Sequence, residues 1–161
     1  MRFALIFIVL VTACSKRAPS VEPTGWSAVR VGSVYESKTV TRMQQPFVHE
    51  TETTTRQTLL ARNDSQASIK LEIAEGSARS AQDVQVPLHQ DAVMPHDGTP
   101  VTTAEETCVV PAGTFPCTRT TITGVGGSMV TWTAKRVPVP IRSVVTNANM
   151  TITTELVAVA R

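Results

Sequence analysis

The chain has 161 residues, a formal net charge of +2 and only 4% aromatic residues. That length allows one ordinary domain, since domains most often run to roughly 100–150 residues, and so small a charge creates no basic field to concentrate nucleic acid. The scarcity of aromatic rings also excludes the stacking platforms on which single-stranded nucleic acid is held.

At the N-terminus, Met1-Arg2 precede an apolar run from Phe3 to Val11, then the small residues Thr12-Ala13, then Cys14. A positive start, a short apolar stretch and small residues before a cut have the form of an export signal. The run is too short to span a bilayer, which takes about 20 apolar residues. Val11-Thr12-Ala13-Cys14 resembles the lipobox of bacterial lipoproteins, in which an aliphatic residue and two small ones precede an invariant cysteine. The resemblance implies that residues 1–13 are a signal peptide, that Cys14 is the lipidation site, bearing palmitate or a similar acyl chain, and that the membrane is a partner through this anchor. Ser15 stands where Asp would retain such a protein at the inner membrane, so the resemblance places it in the cell envelope, on the periplasmic face of the outer membrane. Residues 14–24, with two prolines and two basic side chains, read as a tether, and residues 25–161 as one β domain.

The sequence holds 24 threonines, 23 of them after Cys14, together with many valines. Branched Cβ atoms pack well on a pleated surface and restrict helical rotamers, which favours strands. In chain order, strands are expected at Val34 to Arg42, Phe47 to Thr58, Ala67 to Ala74, Thr107 to Val110, Cys117 to Thr123, Val130 to Lys135, Ile141 to Thr146 and Thr151 to Val159. Gln57 to Ser65 is the nearest approach to a short helix. Val86 to Pro100 lacks periodicity and reads as a long loop. Alternation is clearest in Ile69, Leu71 and Ile73 against Lys70 and Glu72, and in Val130, Trp132 and Ala134 against Thr131, Thr133 and Lys135. The expected fold is mainly β: a single antiparallel curved sheet or half-barrel-like domain with at most one or two short helices. Its core should include Trp132, Ile69, Leu71, Ile73, Phe115 and Leu156.

Export into an oxidising compartment lets disulfides persist. With Cys14 lipidated, Cys108 and Cys117 remain as a pair flanking Val109-Val110-Pro111-Ala112-Gly113-Thr114-Phe115-Pro116. A fold-back with Pro111 to Thr114 as a four-residue loop would set the cysteines opposite each other, about 5.5 Å apart at Cα, within the disulfide range. A two-residue Ala112-Gly113 loop would instead put Pro116 where a ladder N–H is required. The spacing is not Cys-x-x-Cys, and no histidine lies nearby in sequence, so a structural disulfide is expected rather than a redox or metal pair.

His49, His89 and His96 lack the paired spacing of zinc ligands, and no metal or cofactor is expected. His89, Asp91, His96 and Asp97 share the long loop and read as solvated residues. Glu50 and Glu52 lie one strand repeat apart, but among threonines, as on an exposed polar face rather than as a catalytic pair. Gly124-Val125-Gly126-Gly127 lies between strands and reads as a turn, not a phosphate loop. No catalytic residue is named, and catalysis is not expected.

The stretch 105–159 contains Val110 to Cys117, Trp132, Val137 to Arg142 and Glu155 to Val157. In that order these segments resemble uncharacterised bacterial envelope β-proteins similar to lipoprotein-localisation factors, whose curved sheet forms a half-barrel around an apolar cavity. The expectation is a membrane-anchored structural or interaction module with an envelope protein as partner. The alternative is a carrier of lipid or a small apolar ligand in a half-barrel cavity, with binding residues unknown.

Overall fold

The computed structural model describes residues 25–44, 47–88 and 99–161. Cys14, the signal, the tether and the loop residues His89, Asp91, His96 and Asp97 lie outside them. A single 3-10 turn, Gly25–Ala28, precedes nine strands: β1 Val34–Met43, β2 His49–Arg62, β3 Gln66–Glu75, β4 Ala78–Pro87, β5 Val101–Val110, β6 Gly113–Gly124, β7 Gly127–Thr133, β8 Arg142–Asn147 and β9 Met150–Ala160. They form one open sheet in the order β4-β3-β2-β1-β9-β8-β7-β6-β5, antiparallel throughout. Two meanders, β1 to β4 and β5 to β9, are joined where the first strand pairs the last. The mainly β expectation therefore holds.

Two expectations about elements are corrected. Gln57 to Ser65 is not helical but the end of β2 and a turn, in which Asn63 Oδ1 accepts the N–H groups of Ser65 (2.9 Å) and Gln66 (2.8 Å). β4 appears where the sequence suggests no strand. Its side chains from Ala78 to Asp83 are exposed, as suits a sheet edge, and only Val84 and Val86 alternate inward, too short a pattern to announce it.

Register assigns every strand residue to one of two faces. One, the charged face, carries Glu36, Lys38 and Arg42 of β1, Glu50, Glu52 and Arg56 of β2, Lys70 and Glu72 of β3, Arg79 and Asp83 of β4, Glu106 of β5, Arg119 of β6, Arg142 of β8 and Glu155 of β9. Its opposite, the threonine face, carries Thr39 and Thr41, Thr51, Thr53 and Thr55, Thr103 and Thr107, Thr118 and Thr120, Thr131 and Thr133, and Thr154. Ion pairs knit the charged face: Lys38–Glu52 (2.7 Å), Arg42–Glu50 (2.6 Å), Lys70–Glu72 (3.0 Å), Arg119–Glu106 (3.5 Å) and Arg142–Glu155 (3.3 Å). On β7, Val130 and Trp132 share the charged face, where Trp132 packs against the core as expected, while Thr131 and Thr133 lie opposite.

The core occupies one end of the sheet, where β1 and β3 begin and β2, β5 and β9 end. Its buried members are Val29, Tyr35, Leu59, Ala67, Ile69, Cys108, Val110, Cys117, Val139, Ile141 and Leu156. Tyr35, Leu59 and Ile69 lie on the threonine face, whereas Cys108, Val110 and Cys117 lie on the charged face. Of the expected core, Ile69 and Leu156 are fully buried, and Phe115 and Trp132 pack against it half-buried. Leu71 and Ile73 are only half-buried, since they point the same way as Ile69 but lie further along β3, beyond what covers it.

Candidate functional site

The segment entering the sheet is held at the core end. The Arg62 guanidinium donates to the carbonyls of Trp26, Ser27 and Val29, and the Trp26 ring meets Tyr35 edge-on with centroids 5.7 Å apart. Gly25 thus sits at this end, away from the β1–β2, β6–β7 and β8–β9 turns.

The segments singled out in 105–159 converge at the same end. β5 and β6 are joined through Pro111-Ala112, and Gly113 follows at φ 134°, in the half of the backbone map that favours glycine. This hairpin tip reaches across to β9, where the Ala112 N–H donates to the Leu156 carbonyl (3.2 Å). Ile141 continues the ladder alongside, donating its N–H to the Trp132 carbonyl (2.8 Å) and accepting from Leu156 (2.9 Å). On the charged face, the Trp132 Nε1–H donates to Glu106, which also pairs with Arg119. The Arg142 guanidinium lies over the Trp132 ring, 5.4 Å from its centroid, with its Nε 3.3 Å from a Glu155 carboxylate oxygen but not hydrogen-bonded to it. A cation over an indole face contributes roughly 0.5–2 kcal/mol.

The two cysteines need a correction. They are not opposite each other: Cys108 faces Phe115, and Cys117 faces Glu106. The connection is the two-residue Pro111-Ala112 turn, one residue earlier than Ala112-Gly113 and shorter than the four-residue loop expected. This turn sets Pro116 opposite Thr107, three pairs beyond the hydrogen-bonded Val110–Gly113 pair that closes the turn, and so at a non-hydrogen-bonded position. The ring nitrogen then points away from β5, beyond the last β7 residue paired to β6, where no donor is needed. Cys108 and Cys117 end as diagonal neighbours on one face, buried and with free thiols. Burial, and then hydrogen bonding and charge from Cys117, push the Cys108 thiol up to about 12. It is therefore a poor nucleophile at neutral pH.

The remaining candidates do not assemble. Glu50 and Glu52 share the charged face, but each is taken by its own cation, Arg42 and Lys38. His49 is exposed at the start of β2. Among the described residues no group of three or more His, Cys, Asp or Glu side chains could hold a metal ion. Gly124 to Gly127 form the β6–β7 turn as expected, and Gly127 is dictated by crowding: a Cβ there would lie 2.1 Å from the Thr146 carbonyl oxygen. Open clefts of about 640 Å³ beside Phe115, Thr133 and Val137, and about 290 Å³ between Arg42, Arg142, Thr151 and Thr153, lie at the surface. The charged network was missed by sequence reading, although the charges alternating with threonines in β1 and β2 were its signal.

No family model matches the chain, and no curated protein matches it. Among solved structures, it is similar to a Bacteroides fragilis protein described as a "putative exported protein with YMCC-like fold", at TM-score 0.49 and 11% identity, covering 82% of this chain and 97% of that one.

Proposed function

We propose that this protein is a lipid-anchored envelope module that acts by holding or contacting another component and performs no catalysis. The observation that carries this reading is Val11-Thr12-Ala13-Cys14 following a short apolar signal. Acyl chains add about 0.8 kcal/mol per buried methylene, so two or three of them hold a domain firmly at a bilayer. The position of Gly25, gripped through Arg62 at one end of the sheet, supports the same picture, because a tether attached there directs the opposite turns away from the membrane.

A carrier of lipid or a small apolar ligand is the second reading. The cleft of about 640 Å³ favours it by size, since ligand pockets run to roughly 300–1,000 Å³. Glu105, Lys135 and Arg136 on its rim do not suit an acyl chain. In the oxidising envelope, the neighbouring Cys108 and Cys117 thiols would close as a disulfide that staples the β5–β6 hairpin.

Expression with labelled palmitate tests the anchor. The wild-type chain is expected to incorporate the label and lose residues 1–13, while Cys14→Ser remains an unlabelled precursor. A wild-type chain processed elsewhere without label would remove the reading. Mass spectrometry of the same sample without reduction is expected to find Cys108 and Cys117 inaccessible to alkylation after denaturation, and two alkylated thiols would exclude the staple.

A further inference from the structure

The two faces of the sheet differ in chemistry, and the difference falls on exposed residues. Among the described residues, the charged strand residues on the threonine face are Arg62, Glu75 and Glu105, with His49 also there, and all four lie at strand ends or on the edge strand. Every exposed large hydrophobic side chain that sits within a regularly paired stretch of strand is on this same face: Met43 (41% exposed), Val101 (42%), Val109 (75%) and Met129 (39%). Threonine hydroxyls on this face can satisfy each other in the plane of the sheet, as Thr39 and Thr154 do at 2.9 Å, which leaves their methyl groups outward. A soluble face so depleted of charge and so provided with aliphatic groups is built to be covered.

We infer that the threonine face is the contact surface between two copies of this chain, packed sheet against sheet. A charge-free centre is self-compatible, because near the twofold axis of such a contact a residue meets its own copy, so that a charge there would oppose its like. The charged face has no such freedom. The available area also suffices. Nine strands spaced about 4.8 Å apart span ~40 Å, and the 6 residues of the shortest strand, β8, add ~20 Å at about 3.3 Å rise each, on the order of 800 Å² per copy, the size of a standard interface. Sheets that pack in this way stack about 10 Å apart, with side chains such as Ile152 and Val145 meeting across the gap.

The test uses the full-length chain in mild detergent, with its mass measured by light scattering after subtraction of the micelle. The wild-type protein is expected as a dimer. Ile152→Lys, on the central strand, and Thr41→Lys, beside it on β1, should each lower the dimer fraction at least tenfold, while Thr153→Lys on the charged face leaves it unchanged. Mixing Thr41→Lys with Thr41→Glu should restore pairing. Retained far-ultraviolet circular dichroism separates loss of pairing from loss of folding, and Thr41→Lys, at a half-exposed site, serves if Ile152→Lys does not fold. A monomeric wild type, a monomer with co-purified lipid on this face, or a dimer indifferent to both lysines would each overturn the inference.

Discussion

Among the described residues, Cys108 and Tyr35 have their ionisation shifted by burial. Burial raises both, the Cys108 thiol from 9.0 to about 12, while Arg161 partly offsets the rise at Tyr35. In each case the folded state holds the neutral form, so the stabilisation is complete below the unfolded values and declines as pH rises through the folded ones. Under reducing conditions, stability measured by urea is therefore expected to be flat up to about pH 9 and to fall between pH 9 and 12. A protein whose stability climbed across that window would contradict this account. Gly127 makes a steric prediction at the same scale. Gly127→Ala drives a methyl group into the Thr146 carbonyl at a backbone of φ 152°, and should cost about 2 kcal/mol or more in urea unfolding.

Among the elements, the hairpin β5–β6 illustrates how one residue selects a register. Proline cannot donate to a ladder, and of the loops open to the segment between Cys108 and Cys117, the turn at Pro111-Ala112 both spares Pro116 and places Pro111 where its fixed φ suits a turn. Taken along the chain alone, the same rule is also met by a longer loop, because the contact of Ala112 with Leu156 is invisible without β9. The entering segment depends in the same way on one side chain. Arg62→Ala removes a donor shared by three carbonyls and should cost about 1 kcal/mol, discounted for exposure. Faster hydrogen exchange at Trp26 to Val29, with the sheet unaffected, is the expected signature.

At the scale of the molecule, β9 is the hinge of the architecture, since it pairs β1 on one side and β8 on the other. Without it two meanders remain, each with a new open edge and without Leu156, a fully buried member of the core. Truncation after Asn147 should therefore abolish a single cooperative unfolding transition rather than lower its midpoint, as followed by circular dichroism in denaturant. Pairing of the first strand with the last also makes the topology non-local, which favours slow folding, on the order of milliseconds to seconds.

Local chemistry determined a good deal of this protein. Branched residues at period two announced the strands, glycine and asparagine their turns, and the residues up to Cys14 the expected anchor, which lies outside the described residues. β4 escaped because most of it is an exposed edge and only Val84 and Val86 alternate inward. What only the tertiary structure decided is how neighbours across strands combine: the β1–β9 closure, the restriction of the core to one end, and the sorting of charges to one face. Alternation along a strand says that two faces differ, but not which of them meets the core. That choice is made by what covers each face, as when the segment held by Arg62 covers Tyr35 while the hairpin tip of β5 and β6 folds toward β9. On β7 the alternation put Trp132 toward the core, where it packs, but its polar partners Glu106 and Arg142 are side chains on other strands brought beside it only by register.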